Sequence, residues 1–171
     1  VTPAIQELIR RNEQLCDRFH RATMDEPDVA AALDTTAEQI TLVNLPMRTG
    51  AADPAGLRRY LTEDVLPNRP ADLRRRRVSR TADRFRVVDE LVVGFTHDRE
   101  LPWLLPGVPA TRRAVEVLAI SVVTTRQGRV ASQRTLWDLA GLLAGLNLPA
   151  DAVRPVSIPR SAEQSEAAGW W

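Results

Sequence analysis

The chain of 171 residues contains no lysine, and all 23 of its basic side chains are arginine. Without an amine of that kind, Schiff-base catalysis by the protein is excluded. Cysteine is almost as scarce: Cys16 stands alone and without ligand-spaced neighbours, which excludes an intrachain disulfide and a cysteine-based zinc site. His20 and His97 are the only histidines, too few for a ligand-spaced metal cluster, so neither a metal nor another cofactor is expected. No apolar run approaches the ~20 residues of a membrane span, and the first residues lack the basic-then-apolar order of a signal peptide. A soluble, cytoplasmic protein with no membrane partner is expected. Charge of one sign is missing as well, since 22 acidic residues leave a net charge of +1, too weak a field to point to nucleic acid. The all-arginine usage itself reads mainly as coding bias.

What is present suits a folded domain. Hydrophobic residues make up 44% and charged residues 26%, which argues against global disorder. Residues 1–149 are expected to form one domain around one core, and residues 150–171, rich in Ser, Ala, Glu, Gln and Pro, a tail ending in Trp170-Trp171. That terminal pair is either a docking anchor or a loose end.

Hydrophobic period organises the rest. Ile5, Leu8, Ile9, Asn12, Leu15, Cys16, Phe19 and Ala22 fall at the three-and-four spacing of a helical face over residues 3–23, with Thr2 as N-cap and Pro3 at the first helical position. His20, on the same helix, is expected to face solvent. A short helix is predicted over 27–33, and a third begins at the Asp53-Pro54 pair and carries Leu57, Tyr60, Leu61 and Val65 before Pro67 stops it. The period then changes to two. Strands are predicted over 73–81, 85–97, 114–125 and 129–137, with a Pro-rich apolar segment, 99–113, between the second and third and the Gly128 hairpin between the last two. Asp138 caps a last helix over 139–146. Helices followed by an antiparallel meander give an α+β cone, a curved sheet wrapped around N-terminal helices with an open end for an apolar ligand.

Particular residues carry a resemblance. Val88-Asp89-Glu90, Phe95-Thr96-His97-Asp98, Trp103 through Pro109 (WLLPGVP), Val115-Glu116-Val117 and Trp137-Asp138 are similar to the SnoaL-like branch of the nuclear transport factor 2-like (NTF2-like) superfamily, over roughly residues 40–149. The subgroup it most resembles is the carboxymethylenebutenolidase-like or ester-cyclase-like one. Polyketide cyclases, ketosteroid isomerase, scytalone dehydratase, limonene-epoxide hydrolase and noncatalytic binding domains share that superfamily, so the resemblance implies the fold more narrowly than the activity. Where the subgroup carries Glu-His in its last strand this chain has Gln133-Arg134, and Asn44 stands where a histidine is usual.

Candidate site residues follow. Asp89 shares a strand face with Val87, Leu91, Val93, Phe95 and His97, and a carboxylate in an apolar row is a candidate acid or base; alternatively it pairs with an arginine or lies at the rim. By the resemblance, the face bearing Arg134 and Asp138 looks into the cone, and Asp89, Arg134 and Asp138 together would resemble the aspartate-arginine-aspartate set of limonene-epoxide hydrolase, which activates water without metal. Asp138 has its capping role as the alternative. His97 beside Asp98 could shuttle a proton or stand in a surface turn. Trp103 with Leu101, Leu104 and Leu105 forms either a plug over the cone or a dimer contact, a homodimer being the expected assembly. Asn44, Tyr60, Trp103, Leu105, Glu116 and Trp137 are the expected substrate-binding residues, Glu116 alternatively lying at the core edge. Eight arginines between Arg69 and Arg86 read as a solvated edge strand, or as a docking face for an acidic acyl carrier protein ahead of any nucleic acid. The function expected first is cofactor-free cyclisation or isomerisation of a hydrophobic, polyketide-type intermediate. Epoxide or lactone hydrolysis and noncatalytic binding are the alternatives.

Overall fold

Thr2 and Pro3 start the first helix, α1 (Pro3–His20), with the Thr2 hydroxyl accepting from the Ile5 amide. The computed structural model describes residues 2–156, so Trp170-Trp171 and the question of their role lie outside the described residues. α1 runs on through a wider π turn at Arg21–Asp25. Asn12, Leu15, Cys16, Phe19 and His20 are its buried stripe, the spacing of one helical face drawn against the sheet. His20 therefore corrects the sequence expectation: it lies four residues beyond Cys16 and eight beyond Asn12, on the inner stripe and away from solvent. α2 (Val29–Asp34), capped by Asp28, follows.

Two strands then appear where none was predicted. β1 (Thr36–Leu45) and β2 (Thr49–Ala51) form a hairpin, and β1 also lies parallel to β6, so the sheet is mixed and not a simple antiparallel meander. The burial of β1 is irregular, with Val43 buried out of alternation next to Leu42 and Asn44, and it is interrupted by a register shift between Thr36 and Thr41. That irregularity hides the two-residue period. α3 (Pro54–Arg59) starts at the Asp53 cap and continues as a π turn through Val65.

The four later strands lie close to their predicted bounds: β3 (Arg74–Ala82), β4 (Arg86–Thr96), β5 (Ala114–Arg126) and β6 (Arg129–Trp137), with α4 (Leu139–Gly145) closing the domain. Strand order is β2-β1-β6-β5-β4-β3, a curved six-stranded sheet with the N-terminal helices on its concave face. This is the expected α+β cone. The loop between β4 and β5 inserts Leu101, Trp103, Leu104, Leu105 and Val108 into the core, so its apolar character is explained within one chain. Beyond residue 149, Val153 packs into that core and the Val156 amide donates to Met47 O, which ties the first part of the expected tail to the domain.

Candidate active site

β5 alternates strictly, sending Val115, Val117, Ala119, Ser121 and Val123 inward. One polar residue in that row has consequences for the whole sheet. Ser121 pairs with Asp89 on β4 and Thr135 on β6; Asp89 pairs with Arg80 on β3; Thr135 pairs with Asn44 on β1; and Asn44 pairs with Thr49 on β2. Arg80, Asp89, Ser121, Thr135, Asn44 and Thr49 thus make a single polar rung across all six strands on the inner face, as residues in register must. Apolar rungs flank it, among them Leu91 and Ala119 running to Trp137. Polar groups held this way in an apolar interior must find partners or face a ligand.

Three parts of the rung behave differently. At the β3 end, Arg80 grips Asp89 with two hydrogen bonds of 2.6 and 2.8 Å and reaches Asp17 on α1 at 2.7 Å. These paired carboxylates hold the Arg80 guanidinium charged, well above its ordinary range. In the middle, His20 descends from α1. Its Nδ1 lies 3.7 Å from Asp89 Oδ2 and 3.7 Å from Cys16 Sγ, while Nε2 lies 3.1 Å from Ser121 Oγ and 3.4 Å from the Gln133 amide nitrogen. The Asp89 carboxylate beside Nδ1 favours the proton there, which leaves Nε2 as the acceptor on the Ser121 and Gln133 side. Full burial, then the Arg75 charge, push the His20 pKa down to about 3 against the smaller opposite pull of Asp89, so the imidazole is neutral. At the β2 end, the Asn44 amide donates to Tyr60 Oη at 2.7 Å and to Thr49 Oγ1 at 3.3 Å, and the Trp137 indole donates to Asn44 Oδ1 at 3.1 Å.

Between the middle and the β2 end lies a narrow cavity of about 40 Å³, walled by Leu42, Leu61, Val65, Leu91, Val93 and Trp103 and touched by His20, Ser121, Gln133, Thr135, Asn44 and Tyr60. The π turns of α1 and α3 bring Thr23, Met24, Tyr60, Leu61 and Val65 to its edge, and Arg75 lines it too, tied to Asp25 at 2.6 and 3.1 Å.

Cys16, His20 and Asp89 also form a trio of potential metal ligands. Their chemistry does not suit a cation. Both Asp89 oxygens are already held by a guanidinium, and burial with the nearby Asp89 charge pushes the Cys16 thiol up to about 12, far from the thiolate a metal needs.

No family model and no curated protein matches the sequence. Solved structures do match, with low identity and nearly complete coverage. A candidate SnoaL-like polyketide cyclase from a Jannaschia species is 16% identical, with 87% of this chain and 97% of that one aligned at a TM-score of 0.69. A candidate polyketide cyclase from Acidithiobacillus ferrooxidans is 20% identical, with 80% and 94% aligned at 0.64, and an LEH-like epoxide hydrolase from M. tuberculosis is 15% identical, with 85% and 92% aligned at 0.59. The fold is NTF2-like.

Within this NTF2-like cone the expected site residues separate into two groups. Asn44, Tyr60, Trp103 and Trp137 come together on the cavity wall. Asp89 is buried on the inner face but stands behind His20, paired with Arg80, and does not itself line the cavity. Arg134 and Asp138 need correction. β6 turns Gln133, Thr135 and Trp137 inward, which puts Arg134 on the opposite face, opposite Val122 of β5; Asp138 caps α4 through a 2.9 Å bond from the Gly141 amide. The expected Asp89, Arg134 and Asp138 set therefore does not assemble. Glu116 is on the outer face as well, paired with Arg74 at 3.2 Å. Leu105 is core, outside the cavity lining, and His97 is buried at the loop, with Thr111 as its partner, away from the cavity. Desolvation lowers the His97 pKa too.

His20, Thr23, Arg75, Ser121, Gln133 and Thr135 are the polar lining residues that sequence reasoning missed. A signal existed. Ser121 is a polar interruption of an otherwise apolar row, but only the strand register shows that it adjoins Thr135 and lies beside Gln133 and His20.

Proposed function

We propose that the protein is a cofactor-free enzyme that moves a proton on an apolar, ketone-bearing intermediate of polyketide type, leading to isomerisation or cyclisation. The observation that carries this is the line from Asp89 through His20 to the cavity: a carboxylate behind Nδ1–H and an accepting Nε2 on the cavity side. His20 takes a proton from the carbon beside a carbonyl, the carbonyl becomes an enolate, and the imidazolium so formed has Asp89 behind it. Returning the proton to another carbon completes an isomerisation, and attack of the enolate carbon on a second carbonyl closes a ring. Because burial makes the imidazole a weak base, the reaction suits an acidic C–H flanked by two carbonyls. Arg75 at the cavity edge is a fixed cation for the developing oxyanion. The names of two structures of like fold, both candidate polyketide cyclases, accord with this reading.

Hydrolysis of an epoxide or lactone has less support. An aspartate-arginine-aspartate set does exist, as Asp89, Arg80 and Asp17, but it lies on the α1 side of the sheet and none of the three lines the cavity. Noncatalytic binding would use the same cavity without turnover.

Incubation with 2-acetyl-1-tetralone in deuterium oxide tests the proposal, with exchange at the carbon between the carbonyls followed by proton NMR. Wild-type protein should accelerate exchange above buffer, His20→Gln should return it to background and Arg134→Ala should leave it unchanged. Exchange at the buffer rate, or exchange equal in His20→Gln, would overturn it.

A further inference from the structure

Two side chains of the cavity wall each bury a polar atom without a partner among the described residues: the indole nitrogen of Trp103 and the side-chain oxygen of Gln133. Their residues are 2% and 7% exposed. Leaving such a group unpaired carries the full cost of its lost hydration, so a binding partner that satisfies both recovers a cost already built into the fold. The Gln133 nitrogen faces His20, Ser121 and Thr135, which leaves Oε1 as its free heteroatom. Trp103 Nε1 is purely a donor. Gln133 Oε1 is purely an acceptor.

The two are also apart. Trp103 packs beside Trp137 with ring centroids 6.0 Å apart, and Trp137 stands four residues along β6 from Gln133, about 13 Å of strand. Between them the exposed wall is mostly apolar, interrupted by Thr135, with the neutral His20 beside Gln133. We propose that the cavity, widened beyond its present volume of about 40 Å³ as a ligand enters, selects a neutral, flat hydroxy-ketone: an acceptor oxygen, such as a ketone carbonyl, against Trp103 and a hydroxyl donor, such as a phenol or enol, against Gln133, joined by an apolar body. This rests on the reading of the cavity as the substrate site, and it adds the polarity of the ligand's two ends. Trp103 and Gln133 are then specificity-determining residues.

Binding, not turnover, provides the test. Four probes of nearly one shape separate the two contacts: 4-hydroxyacetophenone with both functions, 4-methoxyacetophenone with the donor blocked, 4-ethylphenol with the carbonyl removed and 4-ethylanisole with neither. Titration calorimetry on wild-type protein should rank the first tightest and each singly altered probe about tenfold weaker, the value of about one satisfied hydrogen bond. Trp103→Phe should erase the preference for the carbonyl while keeping that for the hydroxyl, and Gln133→Met should do the reverse; thermal melting checks that both variants fold. A flat ranking in wild type, or a ranking unchanged in both variants, overturns the proposal. The ranking without any proton exchange would instead remove the catalytic reading and leave this one standing, and exchange with a flat ranking would do the opposite.

Discussion

His20 and His97 are both buried and both have lowered pKa values because burial disfavours the charged ring, yet their surroundings assign them different work. His97 follows β4 with Nδ1 accepting from the Thr111 amide at 3.3 Å and lying 3.1 Å from its hydroxyl, so its hydrogen is on Nε2, which has no partner among the described residues. His20 has the opposite tautomer, its hydrogen toward Asp89 and its lone pair toward the cavity. Burial alone therefore does not make a histidine catalytic. The proposed function asks for a carboxylate on one side and a ligand space on the other, and only His20 of the two has both.

The largest expected effect breaks the comparison if it fails. Replacing His20 by Gln should slow proton exchange by about 10²–10⁴-fold, the range for losing a positioned base, whereas His97→Gln should leave the rate within about twofold. NMR exchange rates on both variants, with melting curves to confirm folding, decide it. Equal losses would mean that neither tautomer nor cavity position matters.

The next largest effect concerns what stands behind His20. Asp89→Asn leaves Arg80 without its buried counter-charge, and breaking such a pair costs about 3–5 kcal/mol. Urea unfolding should show a loss near the lower end, because Asp17 still holds one Arg80 nitrogen.

Much of this arrangement was legible in the sequence, and the part that was not has a specific cause. The alternation in β3 to β6 and the caps at Thr2, Asp53 and Asp138 are local signals, and the elements they mark lie close to where they were expected. Asp89 was placed on the inner face by period two alone. Which face of β6 looks inward is not a local property. Both faces of that strand mix polar and apolar residues, Gln133, Thr135 and Trp137 against Arg134 and Leu136, so the family resemblance decided the assignment and decided it wrongly. His20 was missed for a related reason: a polar residue continuing an apolar stripe was assigned to the wet side, although its spacing from Cys16 put it on the buried one.

pH separates the two histidines more finely. In the unfolded chain a histidine binds its proton near pH 6.5, while folded His20 stays neutral down to about 3. The unfolded state thus binds more protons throughout that window: the stability His20 permits is complete above pH 6.5 and is lost as pH falls toward 3. Between pH 6.5 and 5 that amounts to about 2 kcal/mol. The difference between wild type and His20→Gln, measured by urea unfolding at both pH values, should recover it. His97→Gln should shift stability with the same sign, since its pKa is also lowered. Proton exchange by the wild type should show no inflection near pH 6.5, because the base is already unprotonated there.

The smallest effect sharpens the contrast at the level of single hydroxyls. Thr111 and Ser121 each place an Oγ 3.1 Å from a histidine ring nitrogen. Thr111→Val keeps the side-chain shape and the backbone amide that donates to His97, so it removes one half-exposed hydrogen bond at a cost of about 1 kcal/mol or less, and exchange should be untouched. Ser121→Ala removes a hydroxyl from the accepting nitrogen of His20, inside the cavity and in register with Asp89. Asp89 still stands beside Nδ1, so the ring keeps its tautomer, but the hydroxyl no longer competes with substrate for the lone pair of Nε2. Ser121→Ala should therefore move the exchange rate while changing stability by about the same 1 kcal/mol. Two chemically similar deletions with similar melting shifts would then differ in the exchange rate alone. If they did not, the distinction between a histidine that faces a ligand and one that only fills a loop would have no functional content.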